Sequence, residues 1–87
     1  MNSEEKKEVK ETNPYLVKLG KRIRALRIKK GYTNYEYFAY EHNFPRAQFG
    51  RYEQGKDVRF SSLIKVILAF DMTLEEFFSE GFDDQTV

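Results

Sequence analysis

Arg46, Gln48 and Arg51 fall within one short segment, Phe-Pro-Arg-Ala-Gln-Phe-Gly-Arg-Tyr over residues 44–52. A guanidinium is a planar fork of donors that matches paired acceptors, such as O6 and N7 of guanine or two phosphate oxygens. A glutamine carboxamide sets donor beside acceptor and matches an adenine edge. The same residue types also serve simply to keep a short helix soluble. Other chemistry is thinly represented. The chain has no cysteine and one histidine, which removes disulfides, thiolate zinc sites and thiol nucleophiles. It has no glycine-rich phosphate loop, no metal-ligand spacing and no nucleophile paired with a base, so no enzyme, cofactor or metal is expected. His42 is read as a histidine at the edge of a core rather than a metal ligand or pH switch. The adjacent Glu75 and Glu76 suit the dipole at a helix start.

The elements that must carry these side chains are all helical. Asn13-Pro14 is a cap followed by proline at the first helical position, and Leu16, Leu19, Ile23 and Leu26 then recur at helical spacing. Gly31 ends this first helix. Thr33-x-x-Glu36 has the form of a capping box and predicts a second helix over 34–42 with Phe38 and Ala39 inward. Asn43-Phe44-Pro45 breaks it. A third helix runs over 45–54, since proline is tolerated only in a first turn, and Gly55 stops it. Phe60, Leu63, Ile64, Ile67 and Phe70 trace a fourth helix. Thr73-x-x-Glu76 caps a fifth, with Leu74, Phe77 and Phe78 inward and Gly81 as its stop. The expected fold is all-α with five helices: a flexible charged arm over 1–13, one domain over 14–82 and a tail over 83–87.

Within 35–54 the spacing suggests how two of these helices cross. Ala39 offers a small residue where backbones approach. Asn43, four residues on, tolerates the positive φ of a tight turn. Phe49, six residues further, reaches back inward beside Phe38, Phe44 and Tyr52. Eight Phe and six Tyr could form a stacking platform for single strands, but at helical spacing they read as core. Tyr35, Tyr37 and Tyr40 cannot all point inward, so some are exposed.

Net charge is only +1 over 87 residues, but its distribution is uneven. Residues 14–65 hold twelve Lys/Arg against four acids, for +8; residues 1–13 hold three against four, for −1; residues 66–87 hold six acids and no base, for −6. Such polarity can present a positive face to phosphates, or it is an unevenly charged solvated surface. No apolar run suits a membrane span and no signal-peptide core is present, so a soluble cytoplasmic protein is expected.

The segment 35–54, with LGKRIRALRIKKGYT before it and RYEQGK and SSLIKVILAFDMTLEEFF at and beyond its end, resembles the Cro and phage-repressor (XRE) helix-turn-helix family over Gly20 to Phe82. Departures are His42 in place of an aliphatic residue, Asn43 for glycine, Pro45 for a Ser/Thr cap, one extra residue near Asn34-Tyr35 and one fewer after Gly55. The resemblance implies a phage-repressor-like transcriptional regulator, acting as a repressor, that binds a pseudo-palindromic double-stranded DNA operator as a homodimer. It places helix 3 in the major groove, with Arg46, Ala47, Gln48, Gly50 and Arg51 toward the bases. Gly50 would let backbone approach DNA. Phosphate contacts would come from Asn34 and Tyr35 at the start of helix 2 and from Gln54, Lys56 and Arg59 after helix 3. Arg27 and Glu53 match a structural ion pair of the family. The competing expectation is a protein-interaction module on the same fold, such as the antitoxin of a toxin–antitoxin pair. The dimer contact is expected around Leu74, Phe77, Phe78 and Phe82.

Overall fold

The computed structural model describes residues 13–83; the arm over 1–12 and the tail over 84–87 lie outside them. The described chain is all-helical: α1 Pro14–Lys29, α2 Tyr35–Glu41, α3 Arg46–Glu53, α4 Phe60–Ala69 and α5 Leu74–Phe78. Asn13 is the N-cap of α1, as the Asn13-Pro14 pair predicts. Its side-chain oxygen accepts from the N–H of Tyr15 at 2.8 Å and of Leu16 at 3.4 Å, satisfying donors that a helix start otherwise leaves unpaired.

The start of α2 differs from expectation. Asn34, not Thr33, is the cap, accepting from the Tyr37 N–H at 3.0 Å. Either residue satisfies the same local rule, and the backbone chose the position one residue on. At α5 the capping box forms as expected, with Glu76 N–H donating to Thr73 Oγ1 at 3.1 Å and Thr73 N–H to Glu76 Oε1 at 2.9 Å.

The first four helices end alike. Gly31, Asn43, Gly55 and Asp71 all have positive φ, and after each the next N–H folds back to a carbonyl of the last turn: Tyr32 to Arg27, Phe44 to Ala39, Lys56 to Arg51 and Met72 to Ile67. This is the Schellman pattern. It reverses the chain in two or three residues, so that short helices follow one another closely. At Asn43, with φ 62°, it sets the turn between α2 and α3.

Phe38 stands at the centre of the core and is wholly buried. Its ring centroid lies 5.2 Å from Phe49, 5.1 Å from Phe70 and 5.1 Å from Tyr32, distances at which aromatic pairs attract beyond their buried area. Leu19 and Ile23 of α1, Leu63, Val66 and Ile67 of α4 and Phe77 of α5 complete the interior. Two inward assignments are corrected here. On α4 the core row is Leu63, Val66, Ile67 and Phe70, while Phe60 is 64% exposed and Ile64 only half-buried. The helix is apolar on several faces, so periodicity alone could not choose between adjacent rows. On α5 only Phe77 is buried, with Leu74 and Phe78 exposed: a helix of five residues turns little more than one side chain fully inward.

Charge is matched inside the molecule where α1 meets the acidic C-terminal segment. The Arg22 guanidinium donates from Nε to the Phe77 carbonyl at 2.7 Å and from Nη2 to the Glu76 carbonyl at 3.0 Å, and pairs with Glu80 at 3.4 Å. Lys18 donates to the Phe82 carbonyl at 3.1 Å. A cation at the C-terminal carbonyls of a helix is favoured by both hydrogen bonding and the dipole. Part of the +8 of residues 14–65 is therefore directed at the protein itself.

α1 and α3 touch at backbone level. A Cβ on Gly20 would come within 2.6 Å of the Glu53 carbonyl oxygen and 2.8 Å of that of Tyr52. Gly20→Ala is expected to cost roughly 2 kcal/mol of stability, mid-range for overpacking a close contact, in equilibrium urea unfolding. A loss below about 0.5 kcal/mol, the scatter of ordinary surface changes, would show that the two helices separate there without penalty.

Candidate nucleic-acid interface

The sequence of α3 divides its faces. Phe49 and Tyr52, three apart, point into the core and are buried, which turns Arg46, Ala47, Gln48 and Arg51 to solvent. Neither arginine has an ion pair or hydrogen-bond partner from its side chain among the described residues. The same is true of Lys56 and Arg59, both exposed just beyond the helix. Four unpaired cations thus lie along α3 and the loop that leaves it, whereas Arg22 and Arg27 are turned inward.

Gly50 is a correction. It is buried rather than open, because the ring tip of Tyr35 lies on it: a Cβ there would meet Tyr35 Cζ at 2.7 Å and Cε1 and Oη at 2.8 Å. Tyr35 leans from the first turn of α2 across α3, so the α3 backbone at Gly50 is covered rather than open for the close approach expected of it. Asn34 is exposed, with its side-chain oxygen engaged as the α2 cap. Gln54 is exposed at the C-cap of α3, and Arg59 at the N-cap of α4. The residues expected at the interface are thus exposed on α3, at the start of α2 and in the loop after α3, except Tyr35, which is half-buried, and Gly50, which is buried.

What holds α3 at its angle is a buried ion pair. Arg27 Nε donates to Glu53 Oε2 at 2.8 Å and Nη2 to Oε1 at 2.9 Å, while Nη1 donates to the Tyr32 carbonyl at 2.8 Å. The two side chains are only 5% and 8% exposed. A desolvated pair is tolerable when the fork is bidentate and its remaining donors are satisfied, and here a third bond ties in the α1–α2 loop.

Several supporting residues escaped sequence reasoning. Gly20 lies under the Tyr52 and Glu53 carbonyls; a glycine within a helical stripe is a signal of close approach that could have been read. Arg22 looked like any surface base. The Tyr32 hydroxyl donates to Glu41 Oε1 at 2.7 Å, and hydrogen bonds from Tyr32 and Tyr37 hold the Glu41 carboxyl below its ordinary 4.5, bracing α2 against the loop before it. His42 packs its ring 4.3 Å from that of Phe38, with Nε2 buried and unpartnered. Among the described residues, no three His, Cys, Asp or Glu side chains converge to hold a metal, and no helix is long and apolar enough to cross a membrane.

Comparison of the chain with protein-family models, with curated proteins and with solved structures finds no match. The likeness to Cro and phage repressors rests on the residues quoted from the sequence.

Arg27→Met leaves the Glu53 carboxylate desolvated and unpaired, and is expected to cost about 3 kcal/mol or more in chemical unfolding. Replacing both partners by methionine should recover at least roughly 1 kcal/mol of that loss, since the orphaned charge is then gone. A double variant no more stable than Arg27→Met would mean that packing, not the charge pair, dominates at this position.

Proposed function

We propose that the chain is a sequence-specific double-stranded DNA-binding protein, a transcriptional regulator of phage-repressor type acting as a repressor in the cytoplasm. In this reading α2 and α3 form the helix-turn-helix, and α3 enters the major groove. The observation that carries it is the outward face of α3, where Arg46 and Arg51 are exposed and free of internal partners. An arginine that stabilises its own fold is engaged, as Arg22 and Arg27 are. Two left unengaged on a helix sealed to the core by its other face are available to a partner rich in paired acceptors. Gln48 and Ala47 between them suit an adenine edge and a thymine methyl group. Lys56 and Arg59, with Asn34 and Gln54, would hold phosphates on either side and set register.

Selection of bound sites from random duplexes tests this. Arg46→Ala and Arg51→Ala should each relax preference at one or two base pairs, at a cost of roughly 1–3 kcal/mol. Lys56→Ala and Arg59→Ala should weaken binding to all duplexes alike and lower the salt slope by about one each. Wild-type protein with no salt-sensitive duplex binding would sink the reading and favour a protein partner for the same surface.

The regulator is further proposed to act as a homodimer on half-sites about one helical turn apart. An apolar groove of about 460 Å³ runs between α1 and the C-terminal segment, lined by Tyr15, Leu16, Leu19, Phe78 and Phe82, with Leu74 exposed on the same short helix. Exposed aromatic surface of this kind suits burial against a second copy. Phe77 drops out of the expected contact because it is wholly buried. Sedimentation equilibrium on an operator duplex should give two chains per duplex, and Phe78→Asp should reduce this to one. Wild-type protein that stays monomeric on a selected palindrome would refute the dimer.

A further inference from the structure

We infer that Tyr35 is a base-reading residue, its ring tip standing in for the side chain that α3 lacks at position 50. The inference rests on the DNA-binding reading above.

Along α3, Arg46, Gly50 and Gln54 are four residues apart and share one row. Arg46 and Gln54 are exposed, whereas Gly50 between them is buried. The volume a side chain would take there is filled from α2: the atoms nearest a Cβ on Gly50 are Cζ, Cε1 and Oη of Tyr35. Those are the hydroxyl end of the ring, so the polar tip rather than the Cβ end overlies the helix. Tyr35 is half-buried, and its hydroxyl takes part in no hydrogen bond among the described residues. The result is a half-buried side chain whose uncommitted polar tip overlies α3 at Gly50, one turn along from the exposed Arg46.

A phosphate contact at the rim would not need this arrangement. A flexible donor would do, and nothing would require a glycine underneath. Glycine inside a helix costs about 1 kcal/mol relative to alanine, and the close seat of the ring on Gly50 is what that cost secures. A phenolic hydroxyl both donates and accepts. It can therefore bond an acceptor on a purine edge or the N4 amino donor of cytosine, and the ring edge can pack on a thymine methyl group. The ligand is a base edge in the major groove, next to the one read by Arg46.

Site selection from random duplexes with the full chain tests this, comparing wild type with Tyr35→Phe, which keeps the ring over Gly50, and with Gly50→Ala, which pushes the ring tip aside. Tyr35→Phe should lose roughly tenfold discrimination at one base pair, the scale of a single base contact, leaving other positions and the salt slope as in wild type. Gly50→Ala should disturb preference at that same pair. Uniform weakening on all duplexes, with preferences intact, would make Tyr35 a phosphate contact and overturn the inference alone. Tyr35→Phe selecting the wild-type site at full affinity would overturn it too. Wild-type protein that binds no duplex overturns both this inference and the function it rests on.

Discussion

Arg27 lies near the end of α1 and Glu53 ends α3, and between them runs a two-pronged ion pair that water scarcely reaches. Its geometry leaves little freedom. Both prongs must align, and the remaining guanidinium donor is held by the Tyr32 carbonyl in the loop that leads to α2. α1, the loop leading to α2, and α3 are thereby fixed about one point. Immediately beside it, Gly20 lets the α1 backbone lie against the carbonyls of Tyr52 and Glu53, an approach any side chain would obstruct. The charge pair fixes the orientation of α3 and the glycine fixes its distance. Only with both settled does the face bearing Arg46 and Arg51 have a defined attitude to a ligand, because an eight-residue helix has too few turns to orient itself by hydrophobic burial alone.

The arginines consequently fall into two populations with opposite physics. Arg22 and Arg27 are removed from solvent, and each is matched by carbonyls or a carboxylate that compensate its desolvation. Arg24 on α1, and Arg46, Arg51 and Arg59 on and after α3, remain exposed and unpaired among the described residues. Formal charge cannot distinguish the groups, since both count equally toward the +8 of the central segment. The acidic C-terminal stretch has a corresponding role: it offers α5 carbonyls and Glu80 to Arg22, which docks the last helix across α1. The electrostatic division along the chain is thus partly a docking device within the fold.

Around Phe38 the aromatic rings supply what a small domain otherwise lacks. A chain of this size has little interior, and large rings in contact fill it with few residues. His42 joins the same cluster through its ring, packed against Tyr32 and Phe38. Tyr35 extends the aromatic economy outward, bridging α2 to α3 over Gly50, so that the exposed surface of the two helices is a composite of both.

Much of this was legible along the chain because it depends on local rules. Caps at Asn13 and Thr73, the left-handed residues at Gly31, Asn43 and Gly55, and the inward spacing of Phe38, Ala39 and Phe49 each follow from backbone donors, allowed φ and helical period, which a residue and its near neighbours decide. The choice between Thr33 and Asn34 as cap, or between Val66 and Ile64 as core, was not decidable that way, since both candidates satisfy the local rule equally. Partners across space settle such ties. For the same reason only the tertiary structure could separate Arg22 from Arg46, or show Gly50 covered by Tyr35 rather than open. A side chain's burial, and hence whether its charge or hydroxyl is free to act, is a property of what folds over it, and that information lies 15 residues away from Gly50, and 55 from Arg22, along the sequence.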